Sequence, residues 1–336
     1  MPDVPGAMRS SHHARSSLRA IRTLIMSAAL TLLGGCTAAA GFEGAIAKSA
    51  AVQTAIKVET FAELQAHVLA RDADVDLFRA RGPFSVSIQE DRELRPTSGE
   101  RIQADIFLSS ASQKAPLVIF LHGYESSKRA HGRQAAHVAS WGMHALSVQL
   151  AKKGPWETNG AALARLVSFV HRAPTAIDGR IDTSRIILVG HSFGAYAVTV
   201  ALAASPAAAA VLLDPAAVAK DVAAVLRRVQ KPVMVLGADD EVSPTRNRDA
   251  FYEYIRSGVA EVSIRDAAHE DAQYPSEGEL QNGGVDPNTT EALQVTFVAA
   301  LTAAAFSVAG TGAFEHAWSG FRGALQDGRF FDPKKK

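Results

Sequence analysis

The sequence feature that most constrains the fold is a buried strand that runs directly into a helix of small residues. Residues 185–189 form the apolar strand, residues 190–194 read Gly-His-Ser-Phe-Gly, and residues 195–204 are mostly alanine and valine. A strand-to-helix turn this tight strains the backbone at Ser192, and glycines on both sides remove side chains that would collide there. The G-x-S-x-G pattern in this context predicts that Ser192 is a nucleophile at the carboxyl end of a parallel sheet, beside the first amides of the next helix.

The N-terminal segment has the pattern of a bacterial export signal. Four arginines precede an apolar run over residues 24–33, and the run leads into Leu-Gly-Gly-Cys ending at Cys36. The run is too short for a permanent membrane span but suits a cleaved signal peptide over residues 1–35. Leu-Gly-Gly-Cys resembles the lipobox, which implies that Cys36, the only cysteine of the chain, is lipidated. Because Thr37 rather than an aspartate follows, we expect an exported lipoprotein anchored in the outer membrane.

The rest of the chain is predicted to be one α/β domain on a tether. Residues 36–57 are rich in alanine and glycine and form the lipidated tether, and the domain covers residues 58–331, with a helical extension at 58–81. Residues 332–336 are predicted to be a short solvated basic tail. A formal net charge of +1 provides no basic surplus, so we expect no nucleic-acid partner.

Further along the chain, the motifs resemble a known family. A continuous apolar run over residues 116–121 ends in His122-Gly123-Tyr124, and two alternating segments precede it. This arrangement resembles the α/β-hydrolases, in particular the dienelactone-hydrolase-like and bacterial polyester-hydrolase (cutinase-like) enzymes. The resemblance implies a mostly parallel central sheet with antiparallel opening strands and helices on both faces. It also implies that the amides of Tyr124 and Phe193 form an oxyanion hole, with the Tyr124 ring along the acyl-binding cleft.

A serine nucleophile needs an imidazole to accept its proton and a carboxylate to orient that imidazole. His269 follows the last predicted strand, which is where this family places its base. Asp240 follows the preceding strand in a loop similar to the acid loop of polyester hydrolases, and we favour it as the acid. Asp214, after the strand that follows the nucleophile, is the alternative, because Asp-Pro at this point resembles chlorophyllase-like members.

Together these residues predict a serine esterase that acts through an acyl-enzyme, with Ser192, His269 and Asp240 as its triad. Residues 215–231 hold only one helix-sized segment, so we expect no large lid and an open cleft of broad specificity for small or polymeric esters. The alternatives are a non-catalytic lipoprotein that uses the same fold for binding, and an acyltransferase or peptidase with the same triad. Neither a metal site nor a cofactor is expected, since no ligand spacing or phosphate-binding loop is found.

Overall fold

The computed structural model describes residues 58–70, 74–217, 219–245 and 247–336. The predicted signal peptide, the lipidation site Cys36 and the tether over residues 36–57 lie outside the described residues.

Within the described residues, nine strands form one sheet in the order β1-β2-β4-β3-β5-β6-β7-β8-β9. The strands are β1 Val86–Leu94, β2 Ile102–Ser109, β3 Ala115–Leu121, β4 His144–Gln149, β5 Ile181–His191, β6 Ala209–Leu213, β7 Val233–Gly237, β8 Val259–Ile264 and β9 Phe330–Lys335. The central pairs from β4 to β8 are parallel, whereas β2 is antiparallel to both β1 and β4. The predicted mostly parallel sheet with antiparallel opening strands is therefore confirmed.

Helices cover both faces of this sheet. They are α1 Phe61–Leu69, α2 Gly132–Ser140, α3 Trp156–Arg172, α4 Phe193–Ala204, α5 Val222–Leu226, α6 Asp249–Tyr254, α7 Glu277–Gln281, α8 Glu291–Thr311, α9 Glu315–Gly320 and α10 Arg322–Gln326. Side chains of α1, α2, α8, α9 and α10 pack into one core, and those of α3, α4, α5 and α6 pack into the other. The helical layers are thus the two covers that a parallel sheet requires.

Strand β3 shows why the sequence gives two cores. Successive side chains of a strand point to opposite faces. Val118 and Phe120 pack into the first core, whereas Leu117, Ile119 and Leu121 pack into the second. Because both faces are covered, the strand is apolar at every position instead of alternating with polar residues.

Helix α8 is the longest helix and lies almost wholly inside the domain. Thr290 caps its start by accepting a hydrogen bond from the amide of Leu293, and Gly312 ends it in the left-handed conformation at φ 74°. By length and composition α8 could cross a membrane, and it is the only such helix among the described residues, but 83% of its most apolar window is buried within the fold. Its apolar surface is therefore that of a core helix.

The C-terminal residues correct one of our predictions. The segment over residues 332–336 was expected to be a solvated tail, but all of it except Lys336 belongs to β9, which pairs antiparallel with β8. The backbone N–H of Lys336 also donates to the carbonyl oxygen of Val259. Without β9 the backbone groups along β8 would be an open sheet edge, and lysines suit the outermost strand because their charge discourages further pairing.

Candidate active site

The predicted strand-turn-helix geometry around Ser192 is present. Strand β5 ends at His191, helix α4 begins at Phe193, and Ser192 between them has φ 56° and ψ −130°. Few residues other than glycine adopt such a conformation, so the backbone at Ser192 is strained. A side chain at Gly194 would place its Cβ 2.3 Å from the carbonyl oxygen of His122, so only glycine fits there.

The loop after β3 lies directly against the serine. A Cβ added at Gly123 would come within 2.9 Å of the Cβ of Ser192. Among the hydrogen bonds of the described residues, none uses the backbone N–H of Tyr124 or of Phe193, whereas the next two amides of the loop, those of Glu125 and Ser126, are both engaged. The amides of Tyr124 and Phe193 are thus two donors that no described hydrogen bond uses.

Three aromatic side chains form a cluster around Phe193, the residue that follows Ser192. The ring centroids of Tyr124 and Phe193 are 6.3 Å apart in an edge-to-face arrangement, and Trp156 lies behind, 5.8 Å from Phe193. Tyr124 is 49% exposed, although most aromatic rings of the domain are buried. These rings form an apolar wall that an acyl group could contact.

His269 lies where the sequence predicted, but its carboxylate partner is not Asp240. The residue follows β8 and begins a short 3₁₀ turn, His269–Ala272, and its Nδ1 lies 2.5 Å from Oδ2 of Asp214. Asp214 is fully buried at the end of β6 and has φ 37°. The structure therefore pairs the imidazole with the alternative acid.

Asp240 instead pairs with a buried arginine. Its carboxylate accepts a hydrogen bond from Nη2 of Arg248, and its side chain is 53% exposed. The neighbouring Asp239 braces the loop, because it accepts hydrogen bonds from the amides of Glu241 and Asp266. Our prediction that Asp240 orients His269 is wrong, because its carboxylate faces the guanidinium rather than the imidazole.

The sequence profile of the alpha/beta hydrolase family matches residues 118–326. The chain belongs to this family. No curated protein matches it. The matched segment includes the serine turn, both acidic loops and the histidine loop, and membership supports a hydrolytic function in general terms.

In this α/β-hydrolase, the carboxylate of Asp214 is held by donors from every side. Oδ1 accepts hydrogen bonds from the amide of Ala238 at 2.9 Å and from Nη1 of Arg248 at 2.8 Å. Oδ2 accepts from the hydroxyl of Thr245 and from His269. Four donors fix the orientation of the carboxylate, so its position does not depend on solvent.

These contacts determine the charge of the pair. Burial raises the pKa of Asp214, but the hydrogen bond and positive charge of His269, with the charge of Arg248, outweigh it and hold the pKa below 3.8. Burial lowers the pKa of His269, but the hydrogen bond and negative charge of Asp214 outweigh it and raise the pKa above 6.5. Asp214 therefore remains a carboxylate, and His269 is a stronger base than an isolated imidazole.

Sequence reasoning did not find three residues that contact the candidate site. Arg248 and Thr245 hold Asp214, but isolated polar residues in a loop give no signal of that role. His191 was visible only as part of the serine motif, although its ring lies 4.4 Å from that of His269.

Among the described residues, no group of three or more histidine, cysteine, aspartate or glutamate side chains is arranged to hold a metal ion.

Proposed function

We propose that this α/β-hydrolase is a serine esterase that cleaves carboxylic esters through an acyl-enzyme. The observation that carries the proposal is the buried Asp214–His269 hydrogen bond at the same end of the sheet as the strained Ser192. An imidazole with a carboxylate on Nδ1 has its other nitrogen available as a proton acceptor. A scaffold protein would not need this arrangement.

Each residue has a distinct role in the proposed reaction. The Ser192 hydroxyl attacks the ester carbonyl carbon while Nε2 of His269 accepts its proton, and the carbonyl oxygen becomes an oxyanion. The unused amides of Tyr124 and Phe193 stabilise that charge. The same proton then passes to the departing alcohol. Water then attacks the acyl carbon while Nε2 of His269 accepts its proton, and that proton passes to the Ser192 oxygen as the carboxylic acid departs.

Within the described residues, the Ser192 hydroxyl makes no hydrogen bond to another protein group. Contacts between nucleophile and base commonly tighten only when substrate is bound, so this geometry is compatible with the proposed attack.

The accessibility of the site favours accessible or polymeric esters over substrates that need full enclosure. The connection between β6 and β7 contains only the five-residue helix α5 among its described residues, and Tyr124 is half exposed. We propose that small and polymeric esters reach Ser192 through an open cleft.

The proposal is tested by labelling with a fluorophosphonate and by a series of p-nitrophenyl esters of increasing acyl length. We expect labelling of Ser192 and turnover of the short esters, and we expect the corresponding anilides to be hydrolysed much more slowly. Faster cleavage of the anilides would favour a peptidase, and ester formation with an added alcohol would favour an acyltransferase. A folded protein that neither labels nor turns over any ester would favour the binding-module alternative.

We expect the activity to rise with pH through the pKa of His269, because only the neutral imidazole accepts the serine proton. Since Asp214 raises that pKa, the midpoint of kcat/KM should lie above pH 6.5. The measurement is a pH profile of ester hydrolysis from pH 5 to 9. For Asp214→Asn, the midpoint of the kcat/KM profile of the residual activity should move to lower pH. For Asp240→Asn, the midpoint should stay where it is in the wild type. A wild-type midpoint below 6.5 would contradict the prediction.

A further inference from the structure

A buried glutamine joins the three loops that form the candidate site. Gln273 follows the histidine loop and is only 3% exposed. Its Nε2 lies 2.9 Å from Nδ1 of His191 and 3.1 Å from the hydroxyl of Ser126, and its Oε1 accepts from the backbone N–H of Glu277 at 3.2 Å. One side chain thus contacts the serine turn, the loop that carries Tyr124, and the start of α7.

The directions of these hydrogen bonds follow from one fixed donor. A backbone N–H can only donate, so the atom of Gln273 that faces Glu277 is the oxygen, and the amide nitrogen must face His191 and Ser126. Because that nitrogen donates, Nδ1 of His191 is an acceptor and the ring proton is on Nε2. The hydroxyl of Ser126 accepts from Gln273 and donates to the Glu277 carboxylate at 3.3 Å.

The Nε2 proton of His191 forms a hydrogen bond to the backbone of His269, the proposed base. Nε2 of His191 donates to the backbone carbonyl oxygen of His269 at 3.1 Å, and the two rings lie 4.4 Å apart. The hydrogen-bond chain therefore runs from the oxyanion loop through Gln273 and His191 to the backbone of the base itself. If the ring proton of His191 moved to Nδ1, Nε2 would face the carbonyl oxygen of His269 as a second acceptor, and the chain would be broken there.

We propose that Gln273 is a positioning residue that fixes the tautomer of His191 and thereby holds His269 in the position from which it accepts the Ser192 proton. The inference rests on the proposed serine-hydrolase function, since it assigns a role within that reaction. Gln273 touches no reacting atom and acts through His191. An error of about 1 Å in the position of a catalytic group can lower the rate on the order of 100-fold, so a side chain that fixes this position affects kcat more than binding.

The surroundings of His191 keep its ring neutral. Burial lowers the pKa of His191, and the nearby His269 and His131 lower it further. His131, whose ring is 6.2 Å away, is itself neutral at physiological pH, because burial lowers its pKa to about 4. The negative charge of Asp214 acts in the opposite direction, but Asp214 already pairs with His269 and Arg248. A neutral ring can accept from Gln273 and donate to His269 at the same time.

The test compares Gln273→Met with Gln134→Met. Gln134 is also a fully buried glutamine that holds the histidine loop, through the carbonyl oxygen of Ala272 at 3.0 Å, but its other partner is His131 rather than His191. We expect Gln273→Met to lower kcat for p-nitrophenyl esters on the order of 100-fold with little change in KM. We expect the loss in Gln134→Met to be at least about ten times smaller.

A second variant separates positioning from packing. Gln273→Glu keeps the size of the side chain and an oxygen for the amide of Glu277, but it presents an acceptor to Nδ1 of His191. We expect a loss in kcat as large as that of Gln273→Met. If the role of Gln273 were only to fill space, both variants would retain most of the activity, because methionine and glutamate are close to glutamine in size, and that result would overturn the inference.

The tautomer can be observed without any variant. In ¹⁵N spectra of the wild-type protein we expect His191 to carry its proton on Nε2 and to be neutral at pH 7, because burial lowers its pKa. A proton on Nδ1, or a wild-type kcat retained in Gln273→Met, would overturn the positioning role while leaving the esterase in place. A wild-type protein with no labelling and no turnover would instead overturn the proposed function, and the positioning role with it.

Discussion

Ser192→Ala is expected to lower kcat for p-nitrophenyl esters by a factor on the order of 10⁶ and to abolish labelling by a fluorophosphonate. No other described hydroxyl occupies the turn between β5 and α4, so neither His269 nor the unused amides can act without this serine. The measurement is steady-state hydrolysis with purified wild type and variant at equal concentration. Retention of more than a small fraction of the activity would exclude Ser192 as the nucleophile.

The matched control for this variant is Ser192→Gly. Both substitutions remove the hydroxyl, but alanine keeps the Cβ that strains the backbone at φ 56°, whereas glycine does not. We expect the two variants to be equally inactive and Ser192→Gly to be more stable than Ser192→Ala by about 1 kcal/mol. Thermal melts of the two proteins measure the difference. Equal stability would show that the turn is not strained.

Asp214→Asn is expected to lower kcat about 10⁴-fold, and Asp240→Asn is expected to change it only a few-fold. The asparagine oxygen will face the amide of Ala238 and the guanidinium of Arg248, because both can only donate. Its NH₂ group then faces Nδ1 of His269, which moves the imidazole proton to Nε2. That nitrogen can no longer accept the proton of the serine.

The pair of variants controls for the loss of a charge beside Arg248, since each removes one of its carboxylate partners. Removing a partner from a buried ion pair typically costs about 3–5 kcal/mol, so Asp214→Asn should also melt at a lower temperature. Kinetics are therefore measured well below both melting transitions. A large loss of kcat in Asp240→Asn, with Asp214→Asn nearly unaffected, would restore Asp240 as the acid.

The serine turn could be predicted because its cause is local. Gly190 and Gly194 lie within two residues of Ser192, and the contacts that exclude a side chain at Gly190 come from the adjoining backbone of Gly194 and Ala195. The same holds for His269, which directly follows a strand. Where residues next to one another along the chain determine the geometry, the pattern of apolar residues and glycines is enough to predict it.

The acid could not be predicted in this way because two carboxylates lie beside the same guanidinium. Asp214 and Asp240 each follow a strand of the sheet, and Arg248 binds both. Which of them reaches His269 depends on how the loop after β7 turns, and Asp239 and Thr245 determine that turn through contacts between distant loops. Spacing along the chain contains no information about such contacts.

Strand β9 was missed for a related reason. Phe330 and Phe331 are followed by Asp332, Pro333 and three lysines, a composition that by itself predicts an exposed end. The strand forms because β8 offers unpaired backbone groups, and its side chains find partners there, such as the Lys334 ammonium 3.7 Å from the buried Glu261. Its conformation is therefore set by the neighbouring strand rather than by its own sequence.

The position of α8 has a consequence for synthesis on the ribosome. This helix, near the end of the chain, provides much of the core on one face of the sheet, including Phe297, Leu301 and Phe306. A nascent chain that has produced all the parallel strands still exposes the apolar face that α8 will cover. Folding of the domain is therefore completed only after α8 itself has been translated, and until then the growing chain presents the kind of surface that chaperones bind.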